Sequence, residues 1–156
     1  DIIVERMRLT QAVRFLELGR RLERALQIVS LVKNCFIPMP EIHAPVFETI
    51  LEVADSLMTY RSRYLANMHL AAVLDLLLTD ETNPRSLVFQ LIRLSEHVEQ
   101  LPRDKMQPGY TVEQRLAMSL VHSVRMLDIQ ALAEIHGLGD YEQLDRLASD
   151  WESQLP

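Results

Sequence analysis

The sequence predicts an all-α fold, an antiparallel bundle of about six helices. Three observations carry that expectation. Every long segment repeats its apolar residues with a helical period, and no window sustains the period-two alternation of a half-buried strand. The breaks between segments hold the prolines and glycines that end helices.

Thr10 is the expected N-cap of a first helix running to about Phe36, in which Phe15, Gly19, Leu22, Leu26 and Val29 recur four and three apart. The prolines of Ile37-Pro38-Met39-Pro40 end it. Pro45 suits the first position of a second helix, expected to reach about Leu65. A short apolar helix follows over Met68 to Thr79, and Asn83-Pro84 reads as a cap and first-turn proline opening a helix to Leu101. In that helix Leu87, Leu91, Leu94, Val98 and Leu101 keep a heptad. Pro102 to Tyr110 is the clearest loop. Thr111 and Gln114 have the spacing of a capping box for a fifth helix to about Ile135. Gly137 and Gly139 break it, and Asp140 caps a last helix carrying Tyr141, Leu144, Ala148, Trp151 and Leu155.

Composition bounds the rest. A chain of 156 residues suits one domain with a real core, and 48% apolar with 24% charged residues is ordinary globular usage. Four glycines leave little material for a phosphate-cradling loop, and the single Cys35 excludes an internal disulfide and fits a reducing, cytoplasmic setting. The longest apolar run, around Leu70 to Leu78, is too short to span a bilayer and contains Asp75. A net charge of −6 disfavours nucleic acid, so neither a nucleic-acid nor a membrane partner is expected. No histidine has a glutamate three residues before it, the spacing a di-iron bundle requires, so no metal or other cofactor is implied. Arginine supplies 14 of the 16 basic residues, which suits bidentate carboxylate or phosphate partners.

Several charges fall where charges are costly. Projected on the first helix, Glu23 lies inside the arc of Ala12, Leu16, Gly19 and Leu26, and is expected to be mostly buried and bonded to an arginine, Arg20 or Arg61. Arg61 projects beside Ile50, Ala54, Met58 and Leu65, with Glu48, Glu52 and Asp55 in a column to one side. Asp75 sits within Val73-Leu74-Asp75-Leu76-Leu77-Leu78. These charges fit a buried ion network fixing helix register, or a site in which Glu23 and Asp75 act as acid, base or cation-holding carboxylates. A catalytic Glu23 or Asp75 should stand in an open cleft. An accessory domain should bury both against arginine and expose a broad apolar patch.

The run Gly19-Arg20-Arg21-Leu22-Glu23-Arg24-Ala25 resembles the Glu-Arg signature of the bacterial alpha-E domain family. Ala54 to Tyr64, Val73 to Ser86 and Phe89-Gln90-Leu91 agree with it in order. The resemblance is to the C-terminal part of the family, which leads us to expect that residues 1–156 are one helical domain cut from a longer protein. It implies a helical fold in a bacterial setting beside ATP-grasp amide-ligase-like and transglutaminase-like proteins. The expected role is therefore an accessory, partner- or substrate-docking domain in peptide or protein modification; an enzyme and a structural or homo-oligomerising bundle are the alternatives. The residues carried over by match are Arg20, Glu23, Arg24, Asp55, Tyr60, Arg61, Arg63, Asp75, Asn83, Arg85 and Gln90.

Overall fold

A computed structural model describes residues 1–35, 44–65, 67–137 and 142–155. All regular structure among them is helical. The first helix, α1, spans Ile2–Cys35 and starts well before Thr10. Thr10 is interior to it: its hydroxyl donates to the Arg6 carbonyl (2.9 Å), which satisfies the side chain within the helix instead of capping a new one. The helix end at Phe36, the prolines at 38 and 40 and the Asp140 cap lie outside the described residues.

The expected second helix is two helices. α2 (Ala44–Val53) stops because Asp55 takes a left-handed backbone (φ 53), and α3 (Leu57–Tyr64) leaves in a new direction. Aspartate is among the few residues that tolerate that conformation. The corner is closed by the Ser56 amide, which donates to the Leu51 carbonyl (2.7 Å). Next, α4 (Leu70–Leu74) runs directly into a π-helical turn over Asp75–Thr79, where the Asp80 amide reaches back to the Asp75 carbonyl (2.8 Å). Leu76, Leu77 and Leu78 are buried, whereas Asp75 is half-buried and accepts a hydrogen bond from the Thr79 hydroxyl.

α5 covers Leu87–Glu99 and is capped by Ser86, whose Oγ accepts from the Phe89 amide (3.2 Å), three residues later than the sequence suggests. Asn83 instead ties the corner together. Its Nδ2 donates to the Leu76 carbonyl (2.9 Å) and reaches the Ser56 hydroxyl (3.4 Å), and its Oδ1 accepts from the Arg85 amide (3.2 Å). The Thr111–Gln114 capping box opens α6 (Val112–Arg125) with both reciprocal bonds present. The single helix expected from there to Ile135 breaks at Met126–Asp128; Asp128 then accepts from the Ala131 amide (3.0 Å) and starts α7 (Ile129–Gly137). α8 spans Glu142–Gln154.

α1 packs on α5 and α8, α5 also on α6, and α4 on α7. The core they share includes Ala25, Val29 and Val32 of α1, the Leu76–Leu78 run, Leu87, Leu91 and Leu94 of the α5 heptad, and Trp151 of α8. Trp151 Nε1 donates to the Ser123 hydroxyl (3.2 Å), so the indole is buried with its polar atom satisfied. α5 ends where Arg14 donates to the Gln100 carbonyl (2.6 Å), and residues 1–10 of α1 run past that point with every side chain exposed.

Candidate functional site

A cleft of about 990 Å³ opens along the outer face of α1. Ten of its sixteen lining residues come from α1, between Gly19 and Asn34. One wall is the end of α2 with the corner (Val53, Ala54, Asp55), Arg85 and Gln90; α8 contributes Glu152. The floor is mixed, with Leu22, Leu26 and Leu31 beside Gln27, Ser30 and Asn34. An added Cβ at Gly19 would meet nothing within 4 Å, so the glycine leaves a notch that opens outward rather than accommodating a neighbouring helix of the bundle.

Five of the eleven residues expected from the resemblance line this cleft: Glu23, Arg24, Asp55, Arg85 and Gln90. They come from segments more than 65 residues apart at the extremes and are gathered by the α2–α3 corner and the turn before α5. The left-handed Asp55 is ion-paired with Arg85 (3.0 Å). Gln90 is fully buried; its Nε2 donates to the Pro84 carbonyl (2.6 Å) and its Oε1 accepts from Arg21 Nη1 (3.1 Å). Arg21, within the Glu-Arg signature run, thus anchors the signature helix to α5. Burial, and then the nearby Arg24 guanidinium, push the Arg21 pKa down, against a weaker opposing effect of Glu17.

Glu23 does not behave as the sequence suggests. It is exposed, and no hydrogen bond or ion pair joins it to another described residue. Arg20 bonds Glu17 (3.2 Å), and Arg61 lies 3.5 Å from Glu48, both pairs largely in solvent. The physical reason is that the arc of Ala12, Leu16, Gly19 and Leu26 is not the core face of α1. Leu18, Ala25, Val29 and Val32 are, and they lie on the far side of the helix. Arg61 is likewise exposed, because the break at Asp55 rotates α3 away from the face extrapolated from α2.

The remaining matched residues hold the frame. Tyr60 is buried, and its hydroxyl donates to the Asn67 carbonyl (2.7 Å) and accepts from the His69 amide (3.1 Å). Arg63 pairs with Asp80 and donates to the Thr82 hydroxyl (2.9 Å). Asn83 pins the corner, as described. Asp75 does not line the cleft, so Glu23 and Asp75 do not form one site. No group of three or more His, Cys, Asp or Glu among the described residues could hold a metal ion. Glu152 was invisible to the sequence: it reaches the cleft from α8 and binds Lys33 (2.8 Å) across 119 residues, and no motif or periodicity marks it.

Residues 1–155 match the alpha-E family, described as a predicted alpha-helical domain with a conserved ER motif. The match includes the stretch after Tyr110 that the quoted motifs do not reach. Uncharacterized proteins of Mycobacterium bovis and Mycobacterium tuberculosis are each 28% identical over 142 residues. That alignment covers 90% of this chain and 16% of each relative, so the chain spans about one-sixth of the length of the curated relatives it matches. No solved structure matches. Among the described residues no helix is long and apolar enough to cross a membrane. With its family match running along nearly the whole chain and its Glu23–Arg24 pair lining the cleft, the chain belongs to the alpha-E family.

Proposed function

We propose that this domain is an accessory docking module that holds a partner or substrate segment for an ATP-grasp-type amide ligase and transglutaminase-like system in bacterial peptide or protein modification. One observation carries the reading: signature residues from separate segments converge on an open cleft in which Glu23 and Arg24 are left free to make intermolecular contacts. A cleft of this size is at the upper end of what small ligands fill, and its mixed floor suits a polypeptide segment. Glu23 standing in an open cleft is what the enzymatic alternative expects, and neither Glu23 nor Asp75 is buried against arginine as the docking reading expected. Asp75 lies outside the cleft, so a site using both carboxylates is not assembled, and the docking reading rests on the convergence of the signature residues alone.

The test is calorimetric titration of the domain with a purified ATP-grasp-type amide ligase from the same bacterium. Saturable binding is expected, weakened about tenfold or more by Glu23→Lys or Arg24→Glu. Absence of binding, or binding that ignores both variants, overturns the reading.

A further inference from the structure

The open face of α1 extends far beyond the cleft. Ile2, Leu9, Leu16 and Glu23 recur every seven residues, and Glu5, Ala12, Gly19 and Leu26 recur every seven at an offset of three. These are the two seam positions of a coiled coil. All of them are exposed except Leu26, which is half-buried on the cleft floor. Leu9 is 62% and Leu16 58% exposed in the middle of the seam, which is more than a lone surface leucine needs explaining.

We infer that a second copy of this chain covers the seam, through antiparallel pairing of α1 with α1 about a two-fold axis near residues 16–19. The two halves of the helix are complementary. The N-terminal half is exposed over residues 1–10, with Ile2 and Leu9 on the seam and Arg6 and Arg8 beside it; the C-terminal half is the floor of a groove walled by the α2–α3 corner and Glu152. A groove with walls admits a bare helix and excludes another walled one, and among the described residues the N-terminal half of α1 is the long helix that stands bare. Parallel pairing would set the two walled halves against each other.

The seam layers support the same register. With Leu16 of one copy in the Gly19 notch of the other, Leu9 lies over the partner helix's Leu26 position and Ala12 beside its Glu23 position. Arg8, one turn before Ala12, then comes within reach of that carboxylate. Arg8 and Glu23 are both exposed and have no ion-pair partner among the described residues. Parallel pairing would instead set Glu23 against Glu23, a like-charge contact. The seam runs over residues 2–30, roughly 40 Å of helix. The seam shares Gly19, Glu23 and Leu26 with the cleft of the docking reading, so a second copy and a docked segment exclude one another there. Leu9 and Leu16 lie outside the cleft lining, so aspartate at either tests the dimer without altering the docking residues.

Sedimentation of the purified chain should give a dimer mass that falls to the monomer in Leu9→Asp and Leu16→Asp, with unchanged helical circular dichroism. Met126→Asp, at a 65% exposed position outside the seam, should leave the dimer intact. In a Cys35→Ser background, mixing Leu9→Cys with Leu26→Cys chains under mild oxidation should yield the 9–26 cross-link in preference to 9–9. A monomer at every concentration, a dimer indifferent to both seam aspartates, or preferential 9–9 cross-linking overturns the proposal.

Discussion

At the residue scale, Glu23 and Glu81 are instructive because their burial and partners are opposite to what a sequence-based charge count suggests. Glu23 carries the family motif, yet it has no partner in the fold, so Glu23→Ala should change unfolding free energy by no more than about 0.5 kcal/mol in dilute urea titrations. A loss of several kcal/mol would restore the buried-network reading. Glu81 carries no motif signal, yet its two carboxylate oxygens meet Arg125 Nε (3.0 Å) and Nη2 (2.6 Å). Those hydrogen bonds hold its pKa below the ordinary value. A depressed folded-state pKa means stabilisation that is present at neutral pH and lost as pH falls through that value. Both side chains are about 45% exposed, so the contribution is screened to a few tenths of a kcal/mol. Glu81→Gln should therefore unfold at slightly lower urea than the parent at pH 7, with the gap closing on acidification below the carboxylate range; a gap that widens would contradict the assignment.

At the element scale, capping decides where helices begin, and the caps of α5 and α6 differ in weight. Thr111 works only at the start of α6, within the capping box, and its loss should cost about 1 kcal/mol. Ser86 caps α5 and also donates to the Asp80 carbonyl (2.7 Å) from a fully buried position. Ser86→Ala removes the cap and one of two donors to the Asp80 carbonyl, which keeps the Asn83 amide (3.2 Å), so it should cost about 1–2 kcal/mol, somewhat beyond Thr111→Ala, in paired denaturation curves. Equal costs would show that the Asp80 bond adds nothing. The Thr111–Gln114 box was legible because both partners lie within four residues. The Ser86 cap was not, since Asn83-Pro84 has the same local chemistry, and Asn83 is diverted to Leu76, a contact that only the turn after α4 brings into reach.

At the scale of the whole molecule, α8 is the element whose docking is most easily followed. It closes on α1 and α6 through the buried Trp151 and the Lys33–Glu152 pair, and Trp151 is the single tryptophan of the chain. If the bundle unfolds as one cooperative unit, the red shift of Trp151 fluorescence and the loss of helical circular dichroism should share one midpoint in urea. A fluorescence transition that precedes the loss of helix would mean that α8 undocks first and that the cleft loses its Glu152 side before the rest unfolds.

By itself the sequence determined the helical class, the α5 heptad, the α6 capping box and the alpha-E membership, because each is written in spacings of three, four or seven residues or in contiguous motifs. It also placed Glu23, Leu16 and Leu26 correctly on one arc of α1, since an angular projection needs only the helical repeat. Which arc meets the core was decided by tertiary structure, because a helix with apolar residues on two faces buries the one its neighbours reach. Here α5 and α8 take the face of Leu18, Ala25 and Val29, and the arc of Glu23 is left as a cleft and an open seam. The corner at Asp55 and the π-helical turn at Asp75 belong to the same class of decision. Each departs from regular helix at a residue whose local propensity permits it but does not demand it, and contacts from distant segments select the departure: Arg85 pairs with Asp55, and Asn83 bonds the Leu76 carbonyl within the π-helical turn.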